Sequence, residues 1–276
     1  TPSCVHFNKK KTIQVGTKAS NMLDRERKLA NSKNDGSIIN GFQEFKRTMG
    51  TDEGYESSNM GKTYSSEELS SEVLKALKGY VRDEEINAAV ITVPAKFQGY
   101  QNDATQKAAE MAGFKKAILL QEPVAASMAY GIDSNSMDGQ WLVFDFGGGT
   151  FDVALMKASE GIMKVIDTAG DNRLGGKNLD LAIVDRIIIP YLENNFSISK
   201  VLNDENRKKL LRNALKSFAE DTKINLSPAD NLSHDILTDE PIGEDGDGIE
   251  IEIDLIITKD DYEGAVRPIF QRAIDL

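Results

Sequence analysis

Two aspartates, Asp145 and Asp152, flank three consecutive glycines and a threonine in the stretch WLVFDFGGGTFDVALM, residues 141–156. These residue types suggest a chemistry. Gly147, Gly148 and Gly149 remove side chains, so a run of backbone N–H groups can form a concave surface that holds an anion. Two carboxylates beside such a cradle, with the Thr150 hydroxyl, are the hard oxygen ligands that Mg2+ takes, water completing its shell. Three glycines also weaken a strand, since they lose backbone entropy on folding and pack nothing. Either something approaches the main chain closely here or the turn is very tight. A bare GGG between solvated aspartates would be an ordinary hairpin. The apolar strand before it and a second glycine turn, GDNRLGG at 170–176, favour a phosphate cradle.

Two familiar glycine motifs do not fit. A P-loop needs a lysine and a helix after its last glycine, and the dinucleotide fingerprint needs strand, glycines, helix. Here FDVALMKA follows, alternating like a strand. The expected unit is therefore strand, glycine turn, strand.

The elements that must position this hairpin can be read around it. Residues 1–62 read as polar and irregular, with strand-like pieces SCVHF and TIQVG. Ser65 and Glu68 form a capping-box pattern, followed by Leu69, Val73, Leu77 and Val81 at helical spacing. NAAVITVP reads as a buried strand stopped by Pro94, then a helix over roughly 100–112 ended by Gly113, then the apolar run AILL. EPVAASMAYGI reads as a helix with Pro123 in its first turn, and DSNSMDGQ as a loop. Strands are expected at 141–146, 151–157 and 161–168. A long amphipathic helix through LDLAIVDRIIIPYLENNF should kink at Pro190, and 203–224 should be helical. EPIGEDGDG reads as an acidic loop, IEIEIDLII as a strand with one solvated face, and Thr258 with Asp261 as the start of a last helix. This pattern is α/β.

With 276 residues, 40% of them hydrophobic, the chain can bury a core as one large domain or two smaller ones. A net charge of −11 argues against non-specific nucleic-acid binding. A single cysteine, Cys4, excludes an intrachain disulfide and fits a reducing compartment. No apolar run approaches the ~18 to 20 residues of a membrane span, and there is no leader pattern. These features point to the cytoplasm, without nucleic acid or membrane as partner. The chain opens on TPSCVHF without methionine and ends on FQRAIDL within an expected helix, so a piece of a longer protein is expected.

TPSCVHF, FKRTMG, AAVITVPAKF, QEPVAASMAYGID, VFDFGGGTFDVAL, GDNRLGGKNLD, AEDTKINLS and ITKDDYE occur in that order along most of the chain. In these eight segments the chain resembles the seventy-kilodalton heat-shock chaperone family, DnaK-like, of the actin and sugar-kinase superfamily. The resemblance implies an α/β, actin-like or ribonuclease-H-like ATPase fold, truncated at both ends, with smaller inserted α+β subdomains. Residues 1–86 would be an inserted subdomain of the first lobe and 87–140 the remainder of that lobe's core. Residues 141–196 would be the second-lobe core with its phosphate hairpin, 197–256 its inserted subdomain, and 257–276 the start of a returning helix.

It also implies ATP or ADP with Mg2+ as cofactors. Gly147, Gly148, Gly149 and Thr150 match the family's second phosphate loop, and Asp145 and Asp152 the carboxylates that position magnesium through water. Lys46 matches the catalytic lysine and Glu122 the cleft glutamate that links nucleotide state to closure. Glu220, Lys223 and Ser227 match positions that hold ribose and adenine, and Gly176 a glycine near the sugar and phosphates. Taken alone, Lys46 would be a solvated lysine, Glu122 a helix-start carboxylate favoured by the dipole, and residues 220–227 an exposed helix face. Implied partners are unfolded client peptides, bound through a further domain, a J-domain co-chaperone and a nucleotide exchange factor.

Several departures stand out. The family's opening Asp-x-Gly-Thr-Thr loop is absent, as are its C-terminal adenosine motif and peptide-binding domain, so little or no ATP turnover is expected of this chain alone. Asn102 stands where an arginine relays nucleotide state, Lys96 replaces an aromatic, and Lys177 replaces an acidic residue; Ile224 is a common bacterial choice. Two alternatives remain open: an actin-like bacterial filament protein, and a degenerate nucleotide-binding scaffold.

Overall fold

The computed structural model describes residues 1–130, 139–159 and 162–276. Its first part is more regular than its polar sequence suggests. Strands β1 (Cys4–Phe7), β2 (Ile13–Val15) and β3 (Gly41–Gln43) form an antiparallel sheet in the order β2-β1-β3. Between β2 and β3 runs a 17-residue helix, α1 (Thr17–Lys33), in a segment expected to be irregular. Its buried residues are only Ala19, Leu23 and Ala30. They keep helical spacing, but two of the three are alanines, so the apolar stripe is thin. Helix α1 packs on the sheet and on a helix from the other half of the chain, α8 (Glu205–Leu226).

A hairpin of β4 (Tyr55–Ser57) and β5 (Lys62–Tyr64) precedes α2 (Ser66–Lys78). The expected capping box is formed: the Glu68 N–H donates to Ser65 Oγ at 3.2 Å, and the Ser65 N–H to the Glu68 carboxylate at 2.9 Å. Leu69 and Val73 are buried, whereas Leu77 is exposed and Val81 lies beyond the helix end. A Ser65→Ala variant is expected to lose about 1 kcal/mol, read as a lower urea midpoint.

β6 (Ala88–Val93) and β7 (Lys116–Gln121) form a parallel pair, joined by α3 (Gly99–Met111). The expectation of a buried strand in NAAVITVP is corrected here. Val93 is buried, but Val90 is 60% exposed and Ile118 on β7 is 51% exposed. Among the described residues these two strands pair only with each other, and the face carrying Val90 and Ile118 stays open. Helix α4 (Glu122–Ala129) begins directly after β7, with Pro123 in its first turn as expected. It touches β6 and β7 on one side, and β8 (Gly139–Phe146) and β9 (Phe151–Ser159) on the other. The last residues of EPVAASMAYGI and the first six of the expected loop DSNSMDGQ lie outside the described residues. Gly139 and Gln140, expected in that loop, already belong to β8.

β8, β9 and β10 (Ile162–Asp171) form an antiparallel sheet in the order β10-β9-β8, as the alternating pattern predicts. Residue 161, the expected first residue of the third strand, lies outside the described residues. The long helix after LGG is interrupted ahead of its proline. α5 (Gly176–Ile183) runs into a π-type turn at Val184–Ile188 and then α6 (Ile189–Asn195). Pro190 has no N–H to donate, and the widened turn lets the helix continue past that gap.

After the short α7 (Ser199–Asn203), α8 crosses this part of the molecule, followed by the hairpin pair β11 (Ser233–Leu237) and β12 (Asp254–Thr258) and by α9 (Lys259–Ile274). The strand expected over IEIEIDLII begins only at Asp254. Ile251 and Ile253 are nevertheless buried on the same side as Ile257 while Glu250 and Glu252 are exposed, so the alternation reported burial before it reported pairing. Ile183, Ile188, Leu192, Leu211, Leu215 and Ile257 belong to one core that joins α5, α6, α8 and the β11–β12 pair.

Candidate functional site

The glycine hairpin is built by register. In the β8–β9 pair Asp145 stands opposite Asp152, and Phe146 opposite Phe151. The turn between them closes with the Gly147 N–H donating to the Thr150 carbonyl at 2.9 Å. A second glycine turn, leading into α5, docks on the first. The Gly176 N–H donates to the Gly147 carbonyl and the Lys177 N–H to the Gly148 carbonyl, both at 2.9 Å. The Gly149 carbonyl accepts from Arg47 Nε at 3.1 Å. All three glycine carbonyls are therefore occupied by protein donors. Among the described residues, no protein acceptor meets the amides of Gly148, Gly149 or Thr150.

The three glycines answer to different needs. A Cβ on Gly147 would come within 3.3 Å of the Thr150 carbonyl oxygen, which reflects a tight turn. A Cβ on Gly149 would lie 2.8 Å from Arg47 Nε, which reflects close approach. A Cβ on Gly148 would meet nothing within 4 Å. Packing within the chain explains two of the glycines, and the third faces open space.

The hairpin walls a cleft of about 470 Å3 whose other sides include Ser3, Glu44, Lys46, Glu122 and Glu220. Lys46 and Arg47 lie on one 3-10 turn, Phe45–Thr48. Lys46 Nζ donates to Glu122 Oε1 at 2.7 Å, and Glu122 is placed by the junction of β7 and α4. Asp152, near enough to feel both charges, is 2% exposed, and its Oδ1 has no hydrogen-bond partner. Burial first, then the charges of Glu122 and Asp145, push its carboxyl up from 3.8 to about 6, against the pull of Lys46 and Lys96.

Of the residues singled out in the sequence, Lys46, Glu122, Asp145, Gly147, Gly148, Gly149, Thr150 and Glu220 line one cleft. Gly176 packs behind the hairpin, and a Cβ there would be 3.7 Å from Gly148 Cα. Lys223 is ion-paired with Asp180 of α5 at 2.5 Å and does not itself line the cleft. Ser227, just past α8, donates its hydroxyl to the Lys223 carbonyl and does not line the cleft. The charge-reversed Lys177 lines it and pairs with Glu44 at 3.0 Å. Burial opposes ionisation of Glu44, yet Lys177, Lys216 and Arg47 together hold its carboxyl below the usual range. Burial pushes the Lys216 ammonium down to about 8, with Glu44 opposing. Asn102 sits in the first turn of α3 with a buried, unpartnered Oδ1.

Sequence reasoning missed Glu44, Arg47, Gly175 and Asn178. Arg47 adjoins Lys46 in FKRTMG, and Gly175 is the first of the paired glycines that end GDNRLGG. Neither Arg47 nor Gly175 has a periodic signal, because both act through contacts distant in sequence.

A family model described as Hsp70 protein matches residues 1–275. The chain belongs to the Hsp70 family. Its fold is accordingly the actin-like ATPase fold, with which the mixed α/β arrangement of several small sheets agrees. Hsp70 proteins are chaperone ATPases whose ATPase domain binds ATP or ADP with Mg2+, and a chaperone ATPase-domain role follows for this chain. The residues present fit these groups. The free amides and open space at Gly148 suit a phosphate. The facing Asp145 and Asp152, one with an unpartnered oxygen, suit a hydrated hard cation. Among the described residues no three acidic, histidine or cysteine side chains cluster as a direct metal cage. No helix among them is long and apolar enough to cross a membrane.

Proposed function

We propose that the chain forms part of the nucleotide-binding unit of a DnaK-like cytoplasmic chaperone, in which ATP hydrolysis drives cycles of binding and release of unfolded peptides. The observation that carries this reading is the glycine hairpin, its carbonyls drawn to protein donors and its amides left free beside a facing pair of aspartates. In this reading Gly148, Gly149 and Thr150 hold phosphate through their N–H groups. Asp145 and Asp152 hold Mg2+ through water, which when bound would neutralise phosphate charge. Lys46 stabilises charge developing on the transferred phosphoryl group, in a site where fixed charges act at reduced screening. Glu122, holding Lys46, ties that charge to α4 and so to both sheets. Glu220, Lys223, Ser227 and Gly176 serve the nucleoside side.

The lobe assignment belongs to the same proposal: residues 1–86 and 87–140 in the first lobe, 141–196, 197–256 and 257–276 in the second. Client peptides, a J-domain co-chaperone and a nucleotide exchange factor are the partners it entails. Lys177 and Asn102 would suit a degenerate scaffold instead, but pairing with Glu44 already neutralises Lys177.

Calorimetric titration of Mg-ADP and Mg-ATP into this chain, beside an Asp145→Asn variant, tests the reading. Binding that weakens about tenfold or more in the variant is expected, the scale of one lost charged interaction. Binding unaffected by the substitution would reject the role given to Asp145.

A further inference from the structure

We propose that Arg47 is a positioning residue that completes the phosphate cradle from the opposite side of the cleft, so that the hairpin is fully ordered only when the two sides are together. The inference rests on the reading of the hairpin as a phosphate cradle. Arg47 comes from the 3-10 turn that also carries Lys46, about a hundred residues before the hairpin it holds. Its guanidinium bonds at two points. Nε donates to the Gly149 carbonyl at 3.1 Å, and Nη2 donates to Asn178 Oδ1 at 3.2 Å. Asn178 Oδ1 also accepts from the Gly175 N–H at 3.0 Å. One side chain thus joins the first glycine turn to the second.

The three hairpin carbonyls are not equivalent. Those of Gly147 and Gly148 are held by amides of the second glycine turn, which moves with the hairpin as one local unit. That of Gly149 is held by Arg47. Rotating the Gly149–Thr150 peptide to lose that contact would also turn the Thr150 N–H, one of the three free donors. Opening of the cleft therefore disorders the cradle at one identifiable peptide.

The setting of Arg47 is itself fixed. Its N–H donates to the Glu44 carbonyl at 3.0 Å, and Glu44 holds a left-handed backbone, φ 68°, which a non-glycine residue adopts only with strain. The Glu44 carboxylate lies 3.6 Å from Arg47 Nη1 and 3.0 Å from Lys177 Nζ, so it faces both sides of the same junction. Lysine cannot replace this arrangement, because only the planar guanidinium presents donors in a fork. The absence of a side chain at Gly149 is the other half of the fit, since a Cβ there would lie 2.8 Å from Arg47 Nε.

Hydrogen exchange on the nucleotide-free chain, read by mass spectrometry, tests the clamp directly. Arg47→Ala is expected to speed exchange in peptides covering 146–152 and 174–180 while leaving 233–258 unchanged. Arg47→Lys, which keeps the charge and loses the fork, guards against misfolding of the alanine variant and should fall between the two. In titrations, Arg47→Ala is expected to weaken Mg-ADP about tenfold and adenosine not at all, because the clamp serves phosphate only. Unchanged exchange at the hairpin in both variants would overturn the inference, as would equal weakening of ADP and adenosine. A wild-type chain that binds no Mg-ADP would count against the cradle reading, and the exchange result would still decide whether Arg47 orders the hairpin.

Discussion

An alanine at Gly175 is expected to destabilise the chain by about 1–3 kcal/mol and to remove Mg-ADP binding, whereas an alanine at Gly148 should leave stability unchanged and weaken binding alone. The two substitutions add the same methyl group to neighbouring turns, and the structure gives them different surroundings. A Cβ on Gly175 would lie 2.7 Å from the Gly147 carbonyl oxygen, 2.7 Å from the Gly149 nitrogen and 2.9 Å from the Gly148 carbonyl carbon. All three are main-chain atoms of the hairpin, so no side chain can swing aside. The two turns would have to part, breaking the bonds from Gly176 and Lys177 that hold the hairpin carbonyls. The backbone at Gly175 is extended, φ 171° and ψ −172°, so any residue could adopt it and the loss is steric alone. At Gly148 the new methyl group meets nothing within 4 Å, and the loss appears only if a ligand fills that space. Urea unfolding and Mg-ADP calorimetry on both variants separate the cases. A Gly148→Ala chain that binds as the wild type does would mean phosphate does not enter there.

What the sequence made legible follows the range over which each signal acts. The hairpin, the two aspartates near its tip and the α2 cap depend on neighbours within about ten residues, and it is the register across the turn that sets Asp145 opposite Asp152. α1 was missed because its buried stripe of Ala19, Leu23 and Ala30 sits in a strongly polar segment, and its burial depends on α8, nearly two hundred residues away. The burial of NAAVITVP was overstated because apolar content records what a strand can bury, not which faces find a partner. The family resemblance assigned Lys46 and Glu122 to one nucleotide cleft and Lys223 and Ser227 to its ribose and adenine end, without foreseeing the contact between Lys46 and Glu122. In the structure Lys223 pairs with Asp180, a contact that spacing cannot foresee. Arg47 was hidden for the reason that makes it informative: its partners belong to another part of the chain.

Asparagine at position 152 is expected to raise stability at neutral pH while weakening nucleotide binding, and the pH dependence of the first effect identifies its cause. The Asp152 carboxyl is nearly inaccessible, and burial with the charges of Glu122 and Asp145 raises it from 3.8 to about 6. Below pH 3.8 the folded and unfolded chains both carry the proton, and Asp152 costs nothing. Between 3.8 and about 6 the unfolded chain has released the proton and the folded chain has not, so stability falls as pH rises. Above about pH 6 the penalty is complete, roughly 2–3 kcal/mol. Asp152→Asn removes it. In urea titrations without divalent cations, the two chains should be close in stability near pH 4 and diverge steadily to pH 6.5, the variant being the more stable. A difference that does not vary with pH would mean the carboxyl is not held protonated. With Mg-ADP present the ranking should reverse, because the charge that burdens the empty fold is the one the hydrated cation needs. A buried carboxylate that costs the empty fold stability is most simply explained by a ligand that offsets that cost.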